Sequence, residues 1–427
     1  MINTPDLQVW ASQVPPGRPR GSLAFRVMLV IVLAAAAVQR ARAQADASGY
    51  RVLYSFTGGT DGAVPAGLLR DAAGNLYGVT EFGGDLNCLP PYGCGTVFKM
   101  DKAGKETVLH SFTMADGAFP LGTLIRDPLG NLYGTTSDSG PSGQGTVFKL
   151  DKGGNERVLY SFSGGADGGG PEAGVIRDAT GNLYGTTAGG GNNNNDGVVF
   201  KVDETGHETV LHTFDGTDGA GPQAPLVRDA GGNLYGTTVF GGAYDWGTVF
   251  KLDKAGNESV LHSFTGGTDG RDPYAPLVRD AAGHLYGTTW EGGDDSCNGG
   301  LGCGVVFKLD STGNETVLYT FTGKADGKQP GQLLRDAAWN FYGGTSAGGS
   351  NSGQGCETDG CGTVFKLARN GKLTVLHTFD GTDGSGPGGL VSDGKGRFYD
   401  TTGAGGTYDQ GVVFEITLRN ERGDQQH

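Results

Sequence analysis

One pentapeptide constrains this chain more than any other feature. VLYSF at Val52 returns as VLHSF at Val108, VLYSF at Val158, VLHTF at Val210, VLHSF at Val260, VLYTF at Val317 and VLHTF at Val375, at intervals of 50 to 58 residues. Between copies the order never changes. An apolar run ending in Arg-Asp (PLVRD) precedes a turn such as AGGN, then come NLYGTT, a variable loop, GTVFKLD, a second turn and the next VLHSF. A fixed period of this size marks a repeat architecture. Each unit supplies four short strands, A (PLVRD), B (NLYGTT), C (GTVFKLD) and D (ETVLHSF), with Gly/Asn/Asp turns suited to hairpins.

A four-stranded sheet of about 50 residues cannot cover both its faces alone, and packing such sheets face to face around an axis solves this. The reading is therefore an all-β, seven-bladed β-propeller of four-stranded antiparallel blades. A β-solenoid and a pair of sandwiches fit the unit less well. Composition agrees: Gly makes up 82 of 427 residues, and helix interiors lose about 1 kcal/mol for each Gly relative to Ala. The chain enters the pattern at a strand D (51–56) and leaves after a strand C (411–417). The N-terminal strand is expected to complete the last blade and close the ring.

The recurring N-L-Y-G-T-T, G-T-V-F-K-L and V-L-H-S-F resemble the GloVer repeat of choice-of-anchor tandem repeat GloVer-containing bacterial proteins, over residues 51–417. More loosely, the strand order resembles NHL-type propellers. The resemblance implies a secreted or cell-surface protein and carries no established catalytic residues.

Residues 1–43 read as a signal peptide, with Arg upstream of an apolar run from Val27 to Val38 and an Ala41-Arg42-Ala43 cleavage site. Residues 44–50 read as a linker and 418–427 as a short polar tail. Without the leader, 27 basic face 45 acidic residues, a charge of −18. That charge disfavours nucleic acid and anionic membranes. The apolar run of about twelve residues is short for a span of about 20 and no other candidate exists, so the expected location is secreted or extracellular, with the periplasm as an alternative.

A residue present in every blade points to architecture. Arg70, Arg126, Arg177, Arg228, Arg279 and Arg335 are expected to pair with carboxylates such as the adjacent Asp. His110, His212, His262 and His377 sit on different blades, too far apart to share one metal. The Asp-Gly pairs at Asp61, Asp116, Asp167, Asp218, Asp269, Asp326 and Asp383 read as turns, with calcium as the alternative. No other cofactor and no metal site is expected.

Function is sought where blades differ. The B-to-C loops 81–94, 290–303 and 346–361 hold 14, 14 and 16 residues against eight or nine elsewhere. All six cysteines lie in them and are expected to pair locally as Cys88–Cys94, Cys297–Cys303 and Cys356–Cys361. Aromatic and acidic residues gather on the same rim: Phe82, Tyr92, Trp246, Trp290, Glu291, Asp294 and Asp295, with Glu81, Glu357 and Asp359 nearby. Aromatic faces beside hydrogen-bonding acids suit a carbohydrate or a protein partner. A non-catalytic binding or scaffolding module is the first reading. A glycan-acting hydrolase or lyase on the same rim, and a structural surface protein without a small ligand, are the alternatives.

Overall fold

The computed structural model describes residues 49–349, 356 and 359–418. The expected signal peptide at 1–43, the tail beyond Leu418 and Glu357 lie outside the described residues. Seven antiparallel sheets follow one another. Blade one is Ala63–Arg70, Leu76–Phe82, Thr96–Met100 and Glu106–Ser111, paired in that order. Blade seven takes Ser385–Pro387 and Val391–Ser392 as its inner strand, then Arg397–Ala404 and Val412–Thr417. Its outer strand is Tyr50–Ser55, antiparallel to Val412–Thr417 with Tyr50 opposite Ile416. The closure expected from the ends of the repeat is present, with the strand beginning one residue before the expected 51–56.

Two repeated contacts join each blade to the next. The Phe ending strand D meets the Phe of strand C in the following blade, edge to face. The pairs run from Phe56–Phe98 through Phe112–Phe148 to Phe379–Phe414, with ring centroids 4.9–5.3 Å apart. All are fully buried, and such pairs add about 0.5–1.5 kcal/mol each beyond area burial. This belt also accounts for the Gly of YG: a Cβ at Gly78 would fall 2.6 Å from the Phe98 ring. Blade seven departs from that rule. Asp400 stands in the Gly position, fully buried, with Oδ1 accepting the Gly389 and Thr401 N–H groups at 3.1 and 2.7 Å.

The second contact lies on the long-loop rim. Val64, Phe119, Gly170, Gly221, Asp272, Gln329 and Gly386 all have left-handed backbones, φ +53° to +69°. Each donates its N–H to the residue before the Gly that opens strand C of the preceding blade: Gln410, Cys94, Gln144, Asp196, Trp246, Cys303 and Cys361, at 2.8–3.2 Å. Four of the seven are not glycine, and Val64 is β-branched, for which this conformation is an outlier. The inter-blade hydrogen bond holds it there.

None of the Arg residues pairs with the side chain of the adjacent Asp, although Arg177 meets the Glu204 carboxylate at 3.2 Å and Arg279 the Asp229 carboxylate of the preceding blade at 3.9 Å. Successive side chains on a strand point to opposite faces. Arg126, Arg177, Arg228 and Arg279 instead cover the YG tyrosines of the preceding blade, Tyr77, Tyr133, Tyr184 and Tyr235, at 5.3–5.9 Å, and Arg70 covers Tyr399. The Asp takes the tyrosine hydroxyl and caps its own turn, as Asp71 does with Tyr77 and Asn75.

Candidate functional site on the long-loop rim

Blade five breaks the pattern after Asp-Gly. Other blades place Ala63, Ala118, Gly169, Ala220 and Ser385 there, whereas blade five has Arg271 and blade six Lys328. Arg271 is only 8% exposed. Its Nη2 lies 2.7 Å from Glu291 Oε2, its Nε 3.9 Å from Asp272 Oδ2, and its guanidinium 4.6 Å from the Trp246 ring centroid. Backbone bonds hold the two loops together, Arg271 N–H to Glu291 O at 3.0 Å and Trp290 N–H to Asp272 O at 3.0 Å. The Trp290 ring meets Tyr274 edge to face at 5.6 Å.

The polar chain continues into blade six. Asn298, in the short 3-10 turn of the Cys297–Cys303 loop, donates Nδ2–H to Glu291 Oε1 at 3.4 Å. Lys328 Nζ reaches Asn298 Oδ1 at 3.1 Å and Asp359 Oδ1 at 2.8 Å. Loop side chains of blades four, five and six are thus connected from Trp246 to Asp359.

Burial pushes the Asp272 carboxyl up to about 6, with Arg271 lowering it and Glu291 raising it. Burial also raises Glu172, and raises Glu81, to which the charge of Glu172 adds. The Tyr274 hydroxyl is raised by burial and by Asp272, Glu172 and Glu291. Glu81, Glu172 and Tyr274 belong to blades one, three and five. The charge of Glu172 thus acts on groups two blades away on either side.

The expected site residues fall into three groups. Trp246, Trp290 and Glu291 come together around Arg271. Phe82 and Tyr92 form a separate patch on blade one with Phe119, at 6.1 and 5.4 Å from Phe82, and Tyr92 is 66% exposed. Asp294 caps its own turn, accepting Ser296 N–H and Oγ–H at 2.9 and 2.7 Å, and Asp295 is exposed. Sequence reasoning does not find Arg271, Asp272, Tyr274 and Glu172. All four lie in D-to-A loops, where the change from Ala or Gly to Arg at one repeat position is the available signal.

The three disulfides are Cys88–Cys94, Cys297–Cys303 and Cys356–Cys361, with Cα atoms 5.7, 5.7 and 5.2 Å apart. Cys94, Cys303 and Cys361 occupy the same blade position as Trp246, so that Trp seals a short loop where the long loops use a disulfide. The Asp-Gly aspartates have their oxygens engaged at home. Asp61, for example, takes Thr57 N–H, Thr57 Oγ–H and the Tyr54 hydroxyl.

The model of the Gloeobacter/Verrucomicrobia repeat matches residues 41–193, 130–356 and 229–424. Among curated proteins none is similar in sequence. The solved structures that resemble it include a catalytically inactive variant of virginiamycin B lyase from Staphylococcus aureus with quinupristin, at 11% identity and a TM-score of 0.55, covering 84% of this chain and 96% of that one. Another is the extracellular domain of a putative hybrid two-component system from B. thetaiotaomicron, at 13% identity and a TM-score of 0.52, covering 86% of this chain and 41% of that one. At such identities the likeness is one of fold. No helix among the described residues is long and apolar enough to cross a membrane. With its motifs matched from the first blade to the last, the chain belongs to the Gloeobacter/Verrucomicrobia repeat family.

Proposed function

We propose that this propeller is an exported binding module that holds a carbohydrate on the long-loop rim of blades four to six. The observation that carries the reading is the grouping of Trp246, Tyr274 and Trp290 with Arg271, Asp272 and Glu291, a set of aromatic and charged side chains that no other blade repeats. Aromatic faces stack on the apolar side of a sugar, while fixed acids accept its hydroxyl protons. Export rests on the leader at 1–43 and on the three loop disulfides, a pattern of oxidising compartments. A protein partner is the other occupant such a rim accepts.

A second reading is favoured by one observation. Asp272, raised to about 6, and Glu291 flank one arginine, and two carboxyl groups side by side in unlike surroundings are the arrangement of an acid/base pair. That would make the rim a glycan-acting hydrolase or lyase.

Glycan-array screening of the exported protein tests the first reading. Trp290→Ala is expected to weaken binding by about 1–3 kcal/mol with the unfolding temperature unchanged. Loss of stability without loss of binding would remove Trp290 from the site. Product release from a bound glycan, abolished in Asp272→Asn, would establish the second reading instead.

A further inference from the structure

Neighbouring outer strands meet by one plan. A Tyr or His on strand D bonds the Asp of the loop that follows it, as in Tyr54–Asp61, His110–Asp116, Tyr160–Asp167 and His212–Asp218 at 2.8–3.0 Å. The first residue of strand D in the next blade comes to the same place. A bulge in each strand C–D pair, between Val97 and Phe98 in blade one, adds the twist that carries it there. In five blades that residue is Glu106, Glu156, Glu208, Glu258 or Glu315, each with Oε1 shut off from water and without a hydrogen-bond partner. In blades six and seven it is Leu373 and Tyr50.

These junctions differ in what they offer a cation. At Tyr54 and Tyr160 the third group is a phenol that donates to the Asp. At His110, His212 and His262 it is an imidazole, so one ring nitrogen and two carboxylates converge. The first of the three is the most closed: His110, Asp116 and Glu156 each bring a ligand atom within 4.8 Å of the other two. Thr113 N–H and Oγ–H hold Asp116 Oδ1 at 2.7 and 2.9 Å, which turns Oδ2 toward His110 Nε2, 2.9 Å away.

We propose that His110, Asp116 and Glu156 form a binding site for a divalent transition-metal ion, with Zn²⁺ as its representative, joining blade one to blade two. Zinc bonds nitrogen and oxygen at about 2.0–2.2 Å, which sets its ligand atoms roughly 3.0–3.5 Å apart. The trio reaches that spacing by side-chain adjustment alone. The ion would take the place of the His110–Asp116 hydrogen bond and give the orphaned Glu156 oxygen a partner. An imidazole with two carboxylates suits zinc or manganese, whereas calcium requires six to eight oxygens. The His110 and Asp116 side chains are 18% and 19% exposed, which leaves a water position open. The site shares no residue with the rim, so its fate is independent of the carbohydrate reading.

The test is a Zn²⁺ titration of the full exported chain, stripped with chelator and dialysed, by calorimetry and thermal unfolding. One equivalent is expected to bind with Kd of about 1 μM or tighter, a value at which about 100 μM Zn²⁺ raises the unfolding temperature by several degrees. His110→Tyr installs the residue that two other blades carry opposite a Glu, and it is expected to fold and lose that equivalent. Glu156→Gln is a second variant, expected to weaken it by about tenfold or more, in line with loss of a direct ligand. The double variant His212→Tyr/His262→Tyr is expected to retain it. No uptake at micromolar Zn²⁺ overturns the proposal, and so does full retention of the equivalent by His110→Tyr or Glu156→Gln.

Discussion

The Tyr50 ring lies flat on the His377 imidazole, with centroids 3.8 Å apart and planes within 4° of parallel. Its hydroxyl donates to the Asp383 carbonyl at 2.6 Å. Tyr50 stands where five other blades place Glu, so the joint made by the start of the chain has an aromatic ring where those joints have a carboxyl group. Tyr50→Ala is expected to cost about 3 kcal/mol, as for other large buried side chains, measured by denaturant unfolding. A chain beginning at Thr57 lacks the whole strand and leaves Val412–Thr417 as a bare edge. Calorimetry should find it far less stable than a chain beginning at Gly49. Equal unfolding temperatures would refute closure by this strand.

Peptide mapping of the protein produced in an oxidising compartment should recover only the three local cysteine links. Each closes a ring of about seven residues, worth roughly 2 kcal/mol in the chain-entropy picture. Reduction is therefore expected to loosen the long loops and lower the unfolding temperature by a few degrees, with the β-sheet circular dichroism of the ring retained. A link between two blades would contradict the loop assignments.

Acidity at the blade junctions has a sign that can be worked out. Burial raises Glu106 and Glu208 to about 7, from an ordinary value of 4.5, with Asp61 and Asp167 adding to the shift. The folded state thus holds these protons more tightly than the unfolded chain does. That stability is complete below about pH 4.5 and is lost as the pH rises toward 7. Glu106→Gln/Glu208→Gln should be more stable than the parent at pH 8 and closer to it at pH 5. A parent whose stability rises from pH 5 to 8 more steeply than the variant's would reverse the sign and refute the assignment.

Arg271 is the charge that the rim can least spare. Removing one partner of a buried pair costs about 3–5 kcal/mol, so Arg271→Ala should destabilise the protein markedly by leaving Glu291 and Asp272 facing each other. Arg271→Ala/Glu291→Ala should recover much of that loss. Additive single effects in a double-mutant cycle would show the pair to be uncoupled.

The periodic part of this protein is legible from sequence because periodicity encodes it. Blade number, strand order, closure by the N-terminal strand and cysteine pairing all follow from comparing one copy of the motif with the next. What cannot be read lies between copies. The partner of His110 and Asp116 is Glu156, on the neighbouring blade, and no local spacing marks the meeting. Adjacency in sequence pairs Arg126 with Asp127, although adjacent strand residues face opposite ways. At the rim, Trp290 and Glu291 stand out as unique, but the arginine that organises them sits in the loop before the strand, where Ala63 and Ala220 give no reason to look.

Every B-to-C loop returns to the same knot. The Gly before strand C donates its N–H to the residue just past strand B at 3.0–3.1 Å, whether the excursion runs from Gly241 to Gly247 or from Gly348 to Gly362. The ring therefore registers only that each excursion comes home, and is indifferent to its length or chemistry. The chemistry of the rim can therefore be rewritten one cassette at a time. Exchanging the segment between Gly292 and Gly304 for its counterpart from another family member would replace that stretch of the rim, with the Asn298–Lys328 contact, and keep the backbone bonds between blades.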